Sequence, residues 1–402
     1  MKFLHFSDLH LGMENYSHID PDTGLSTRFQ DWQNSLDAMI ELANEHDVDV
    51  VLFTGDAFKN RDPSPTYQNA FARAIQRFSD KDRQVVLLVG NHDLPNIEHK
   101  AHTLEIYRSL DLPRVTVSKK IEKLQIDTKS GPVEIVTWPW LTRNFLLKNE
   151  QYKGKTIEEI DQVLMDKASQ LFLSLLDQLT PGIPHLGMVH ATIMGATFGS
   201  ERNVMIGKDL VIPLSLIADT RLDYVACGHL HRHQVLSTAP YVVYAGSPQR
   251  IDFGEEKEEK GCLTVSIANS STEIAFHDLK VRRFITWRIE DQITPPTEDL
   301  HDSIVRIVIS GDADFVQKIT LQDLKEYLVD IYYFAGIERN ITKENEGGIN
   351  SKKASNRIEQ SASIEDQLKK YLTIKEIPEP DQQSVIAEAK KIFSSTEVGD
   401  SV

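Results

Sequence analysis

No stretch of this chain approaches the ~18 consecutive apolar residues that a membrane-spanning helix needs, which argues against a transmembrane segment. The opening residues, Met1-Lys2-Phe3-Leu4-His5-Phe6-Ser7-Asp8, turn polar too early to read as a signal peptide. Cysteine is scarce. Cys227 and Cys262 are the two in 402 residues, and both lie in apolar runs. That pattern points to buried free thiols in a reducing cytoplasm and away from a disulfide framework. No internal repeat is visible. Positive charge is also short: 44 Lys and Arg stand against 60 Asp and Glu, for a net charge of −16. Proteins that grip nucleic acid by bulk electrostatics are usually basic. If this chain handles nucleic acid, it needs a local basic patch, bound metal cations or a partner.

What is present is an ordinary globular composition, 40% hydrophobic and 26% charged. At ~150 residues per domain the length implies roughly two to three domains. The stretch that organises the chain is Val85-Val86-Leu87-Leu88-Val89-Gly90-Asn91-His92-Asp93. Its apolar run fits a strand buried on both faces, and Gly90 suits a sharp turn. Asn91, His92 and Asp93 then emerge at the carboxyl end of the strand, where open α/β sheets place their ligands.

Other segments repeat the arrangement. Residues 2 to 7 read as a strand followed by Asp8 and His10, whose spacing puts both side chains on one face of extended backbone. Phe29, Trp32, Leu36, Met39, Ile40 and Ala43 recur at helical spacing and return the chain for a parallel strand, Val48 to Thr54, ending in Gly55-Asp56. Ser64 and Pro65 suit the start of a helix carrying Tyr67, Phe71, Ile75 and Phe78. Strand, helix, strand, helix, strand is the α/β pattern with right-handed crossovers. Further helices are expected over 98–110 and 156–179. His185 to Val189 ends in His190, and Leu222 to Cys227 ends in Gly228-His229-Leu230-His231. The runs 241–245, 261–267 and 273–278 read as antiparallel strands closing a second sheet. The charged run Glu255 to Lys260 between them reads as a solvated hairpin tip. Alternating segments near 283–289 and 303–310, with a helix over 315–328, suggest a small α+β domain. Residues 344–361 lack apolar periodicity and read as a linker. Apolar stripes at Ile364, Leu368, Tyr371 and Leu372, then Val385, Ile386, Ala389 and Ile392, mark two amphipathic helices separated by Pro378 and Pro380.

The strand-end groups are Asp8, His10, Asp56, Asn91, His92, His190, His229 and His231. A lone strand-end histidine is more often structural than a ligand, and Asp-x-His alone has little specificity. Five such segments in one plausible sheet outweigh that reading. Oxygen and nitrogen donors without thiolate suit Mn²⁺, Fe²⁺ or Zn²⁺ better than Ca²⁺ or Mg²⁺. Seven or eight donors are too many for one ion and fit two that share a bridge. Ions about 3.5–4 Å apart can clamp a phosphoryl group for in-line displacement.

The set Asp8-Leu9-His10, Gly55-Asp56, Gly90-Asn91-His92-Asp93, His190 and Gly228-His229-Leu230-His231 resembles the calcineurin-like metallophosphoesterases. More narrowly, Phe6 to Gly12, Gly246-Ser247-Pro248 and Arg250-Ile251-Asp252-Phe253-Gly254 resemble the SbcD/Mre-type nuclease subunits. The resemblance is strong over residues 1 to 280 and looser beyond. It implies a four-layer α-β-β-α sandwich over 1–280, a small α+β capping domain over 281–342, a flexible linker over 343–361 and a C-terminal helix pair over 362–396. It also implies that Asp8, His10 and His231 hold one metal, that Asn91, His190 and His229 hold the other, and that Asp56 bridges them. His92 would protonate the leaving oxygen, with Asp93 orienting it. One departure stands out: Lys59 occupies a position where some members carry a nucleotide-steering His.

The resemblance further implies two divalent metal ions, best matched by Mn²⁺, and a cytoplasmic, nucleoid-associated nuclease subunit. That subunit would act as a 3′–5′ exonuclease on duplex DNA ends and an endonuclease on single strands or hairpins. Its partner would be an SbcC-type coiled-coil ATPase docked on the C-terminal helices. Homodimerisation within a heterotetramer would use helices 64–79 and 98–110, with Tyr67 and Phe71 on an exposed face. Core packing is the competing reading for that face. Lys59, Arg61, Arg143, Arg202 and Arg250 lie in loops near the donors and could meet phosphates. Solvated loop charge is the competing reading for each. His5 is expected to pack in its strand, and His233 to lie at the rim. His18, His46, His99, His102, His277 and His301 are expected at the surface. The rival functions are a stand-alone phosphodiesterase on nucleotides or phosphoproteins and a non-catalytic scaffold.

Overall fold

The computed structural model describes residues 1–95, 100–143, 152, 154–199, 209–269, 271–341, 382, 383, 385, 386 and 389. The chain divides into two units, Met1–Thr342 and Lys343–Val402.

The first unit begins with β1 (Lys2–Phe6), α1 (Thr27–Glu45), β2 (Val50–Phe53), α2 (Pro65–Phe78), β3 (Gln84–Leu88), α3 (Glu105–Ser109) and β4 (Val115–Ser118). The alternation predicted for this region is present, and β1 to β4 pair in parallel. Next come β5 (Glu122–Thr128), β6 (Gly131–Trp138), α4 (Ile157–Leu176), β7 (His185–His190), the short pair β8 (Thr192–Ile193) and β9 (Val211–Ile212), and β10 (Tyr224–Gly228). After these lie β11 (Gln234–Thr238), β12 (Tyr241–Tyr244), β13 (Gly261–Ala268) and β14 (Ser271–Asp278). Two six-stranded sheets result, in orders β14-β13-β1-β2-β3-β4 and β11-β12-β10-β7-β6-β5.

Strand periodicity fixes the layers. Successive side chains of a strand point to opposite faces, so Phe3 enters the core between the sheets while Leu4 and Phe6 enter the core beneath the helices. The inter-sheet core joins Phe3, Leu52 and Val86 to Leu186, Tyr224 and Val243. Trp32, Met39, Phe71 and Phe78 of α1 and α2 cover one outer face. Ala168, Phe172 and Leu176 of α4 cover the other. The first unit therefore contains the expected α-β-β-α sandwich.

Three expectations change. β12 pairs in parallel with β10 in the second sheet, whereas β13 and β14 belong to the first sheet, where β13 is antiparallel to β1. Local patterns define strands but not their distant partners. Phe71 is fully buried against Phe53, Phe58 and Tyr107, so it belongs to the core and not to an exposed face. Among the described residues, the helix expected over 98–110 is Glu105–Ser109.

Residues 284–341 form a small unit with its own core, including Trp287, Ile289, Ile307, Ile309 and Leu324. Its strands β15 (Phe284–Glu290), β16 (Ile304–Gly311) and β17 (Tyr333–Ile341) all pair in parallel. The linker over 344–361 and the helix at 364–372 lie outside the described residues. The described residues of the second unit, including Val385, Ile386 and Ala389, are helical.

Candidate metal centre

All eight strand-end groups converge where β1, β2, β3, β7 and β10 end. The backbone there leaves ordinary geometry. Asp8, His10, Asp56 and His229 have positive φ values of 52°, 45°, 61° and 105°. Non-glycine residues rarely adopt this region, and it persists where surrounding structure enforces it. The enforcement is visible: Asp8 N donates to Gly55 O at 3.0 Å and His10 N to Asp56 O at 3.1 Å. His229 N donates to both Asp8 carboxylate oxygens at 3.0 Å, which joins the two sheets at the site.

Glycine in the organising stretch has a different cause from the one its sequence suggested. Gly90 has no positive φ. A Cβ there would lie 2.2 Å from Asp56 Oδ1 and 2.7 Å from the His190 ring. Gly90 is required because two site residues press against its backbone.

Three groups of donor atoms each fall within 4.8 Å: Asp8, His10 and His231; His10, Asp56 and His92; and Asp56, His190 and His229. Asp56 is common to two of them. Its Oδ2 faces His10 Nε2 at 3.8 Å and its Oδ1 faces His190 Nε2 at 3.5 Å. Asn91 Oδ1 lies 2.9 Å from His190 Nε2 and 3.0 Å from His229 Nδ1. His10 Nε2 and His231 Nε2 approach to 3.0 Å.

The outward ring nitrogens are anchored. His190 Nδ1 donates to Thr54 O at 2.6 Å. His229 Nε2 meets Asp209 Oδ2 at 3.0 Å, and His231 Nδ1 meets Glu255 Oε1 at 2.8 Å. A carbonyl or carboxylate on one ring nitrogen holds the proton there and leaves the other nitrogen as a lone-pair donor. Inward lone pairs, two carboxylates and an amide oxygen without thiolate make a donor set that fits two divalent ions.

Charge follows the same geometry. Burial opposes charging His190, but the adjacent Asp56 carboxylate raises it to about 9. Burial likewise opposes ionising Asp56, yet His190, His92 and His10 hold it well below the usual carboxylate range. His10 is pulled down by burial and by His231. Protons on these rings compete with cations for the same nitrogens.

The remaining predicted residues separate. Lys59 and Arg61 line a cavity of about 540 Å³ with Asn91 and His92. His92 Nδ1 donates to Lys59 O at 2.7 Å, so this carbonyl orients the ring. Asp93, expected to orient His92, has its carboxylate bonded elsewhere. Its carboxylate accepts from Gly90 N, Asp56 N, Ala57 N and Thr103 Oγ1 at 2.9 to 3.1 Å, fixing the loop that carries Asp56. Burial and the Asp56 charge push Asp93 up to about 6. Arg143 is engaged by Asp161. The Arg250 guanidinium donates to the carbonyls of Glu255, Glu258 and Arg282 and is a structural clamp. Arg202 lies outside the described residues. His5 is packed as expected, between Tyr224 Oη and Thr54 Oγ1. His233 Nδ1 donates to Tyr244 O, away from the donors. His102, expected at the surface, is buried beside Glu105.

Sequence reading missed Asp209, Glu255 and Trp140, whose ring lies 4.8 Å from that of His229. Asp209 carries no local signal. Glu255 was hidden in a charged run whose period suggests solvent.

The sequence profile described as calcineurin-like phosphoesterase matches residues 1–233. The chain is 26% identical over 282 residues to the SbcD subunit of nuclease SbcCD from Escherichia coli K12, covering 68% of this chain and 66% of that protein. It is 25% identical over 301 residues to the SbcD subunit of nuclease SbcCD from Bacillus subtilis, covering 72% of each. It is 23% identical over 347 residues to the DNA double-strand break repair protein Mre11 of Methanosarcina acetivorans, covering 82% of this chain and 48% of that protein. The aligned stretch thus falls just short of two thirds of the Escherichia coli protein's length. With more than half of its residues matched by the family profile, this chain belongs to the calcineurin-like phosphoesterases.

Proposed function

We propose that this chain is the metal-dependent nuclease subunit of an SbcCD-type DNA end-processing complex, working as an exonuclease on duplex ends and an endonuclease on single strands or hairpins. The observation that carries the reading is the position of Asp56, whose two carboxylate oxygens face histidines of two different donor groups. A bridging carboxylate between two three-donor sets is the arrangement a two-ion phosphodiesterase needs. Asp8, His10 and His231 would hold one ion, Asn91, His190 and His229 the other, and Asp56 would serve both. Two divalent ions, Mn²⁺ in this reading, supply Lewis-acid activation of the phosphodiester and its attacking nucleophile.

The protein's own groups do the rest. Lys59 and Arg61 meet the substrate backbone in the cavity beside Asn91 and His92. His92, held at Nδ1 by the Lys59 carbonyl, presents Nε2 to the departing sugar oxygen and protonates it. The names of the relatives, a nuclease subunit and a DNA double-strand break repair protein, support DNA as the substrate and a second subunit as the partner. In this reading that partner is a coiled-coil ATPase engaged by the C-terminal helices of a dimeric nuclease.

The test sets linear duplex and hairpin DNA beside a nitrophenyl phosphodiester, each with and without Mn²⁺. The reading expects Mn²⁺-dependent cleavage of all three. Cleavage of the small diester alone would favour a stand-alone phosphodiesterase, and cleavage of none would favour a scaffold.

A further inference from the structure

The charged run after Phe253 is solvated only in part, with Lys257 and Glu259 exposed. Glu255 and Lys260 are both fully buried. Lys260 Nζ donates to His231 O at 3.0 Å, Ser247 Oγ at 2.9 Å and Glu258 Oε2 at 2.9 Å, and it lies 2.9 Å from Glu255 Oε2. Glu255 also accepts from Ile251 N at 3.0 Å and meets His231 Nδ1 at 2.8 Å. Burying an ammonium and a carboxylate is costly unless each is paired and its remaining hydrogen-bonding groups are met. Here the pairing closes on one residue. His231 is held by its ring through Glu255 and by its carbonyl through Lys260.

The next residue faces the other way. The Glu256 carboxylate accepts from Thr286 N at 2.7 Å and Thr286 Oγ1 at 2.6 Å, on β15 of the small unit. Phe253 sits edge-to-face on Phe284 with centroids 5.1 Å apart, and the Arg306 guanidinium lies over the Phe253 ring. The segment behind is tied down as well, because Arg28 donates to Arg250 O at 2.6 Å. Residues 253–256 therefore contact a site histidine on one side and the small unit on the other.

We propose that this segment is a positioning element through which the small three-stranded unit sets the placement of His231, with Glu255 and Lys260 as positioning residues. It tunes the Asp8–His10–His231 donor group and leaves the Asp56–His190–His229 group alone. The inference rests on the two-ion reading of the site but not on the identity of the substrate.

Mn²⁺ binding by the full chain, followed by calorimetry and by metal content after gel filtration, tests it. Removing a partner that orients a metal-binding histidine typically costs 10–100-fold in affinity. Glu255→Ala should weaken one class of Mn²⁺ site by that factor and leave the other at the wild-type value. Glu255→Gln, whose amide oxygen can still accept from His231 while its amide nitrogen faces Ile251 N and Lys260, should recover part of the loss. Glu256→Ala, which removes the side-chain bonds to Thr286 and, among the described residues, none to a donor, should weaken the same class several-fold. If Glu255→Ala does not fold because Lys260 is stranded, Glu255→Ala with Lys260→Met removes both ties to His231 without the unpaired charge and should weaken the same class at least as much. Unchanged binding in Glu256→Ala overturns the coupling to the small unit. Equal weakening of both classes in Glu255→Ala overturns the selective placement of His231. A wild-type chain that binds fewer than two ions overturns the two-ion reading itself, an outcome distinct from either.

Discussion

Single side chains separate binding from chemistry at this site. Asp93 braces the Asp56 loop and His92 hangs from the Lys59 carbonyl, so removing the His92 ring leaves the seven proposed donors in place. His92→Ala should retain two ions and near-normal DNA affinity while cleavage slows ~100-fold or more, within the usual range for general acid catalysis. The slowing should be far smaller on a nitrophenyl diester, whose leaving group needs no proton. Equal slowing on both substrates would remove His92 from the proton path. His5 offers a test away from the donors. Burial, with His233 adding to it, lowers His5 to about 3 from an ordinary value near 6.5. Between those values the unfolded chain takes up a proton that the folded chain refuses. The neutral ring's contribution is whole above about pH 6.5 and drains as pH falls toward 3, by about 1.4 kcal/mol per pH unit. His5→Gln should flatten that part of the curve, so that wild type loses about 2 kcal/mol more than the variant between pH 6.5 and 5. Urea unfolding at the two pH values measures the difference. Parallel losses in the two proteins would dismiss His5 as their source.

At the scale of elements, Phe71 shows what apolar spacing does and does not say. It reports that Phe71, Ile75 and Phe78 share a face of α2, but the same stripe fits a core or a docking surface. The structure puts Phe71 against Phe53, Phe58 and Tyr107. Phe71→Ala should therefore cost about 3–5 kcal/mol of stability, read by denaturant unfolding. The strands β1, β2, β3, β7 and β10 and the groups at their ends were legible in the sequence because each announces itself locally: an apolar run, a turn, a polar side chain. Which sheet β13 and β14 join was not legible, because pairing with β1 is a contact between the two ends of the sandwich-forming sequence. Asp209 and Glu255 were illegible for a related reason. An acidic residue looks solvated until the histidine it anchors is brought to it by distant chain. Gly90 was found, but its close neighbours, Asp56 and His190, appear only once the strands are assembled.

The whole molecule carries −16 in formal charge. In the proposed function that charge leaves DNA affinity to the bound ions, to the loop bearing Lys59 and Arg61, and to the partner. A chain truncated after Gly348 should keep Mn²⁺-dependent cleavage of single-stranded DNA and lose co-purification with the ATPase. Intact complex formation by that fragment would remove the docking role from the C-terminal helices. The topology has one more consequence, for synthesis on the ribosome. β1 is made first, yet its antiparallel neighbour β13 begins at Gly261, with Lys2 opposite Ser266. All eight strand-end residues lie before His233 in the chain, ahead of that neighbour. A chain that stops short of β13 would carry every strand-end residue beside a bare edge of β1, the kind of surface on which polypeptides stick to one another. The last third of the sequence is the cover that arrives late, and until β13 is paired that edge stays open.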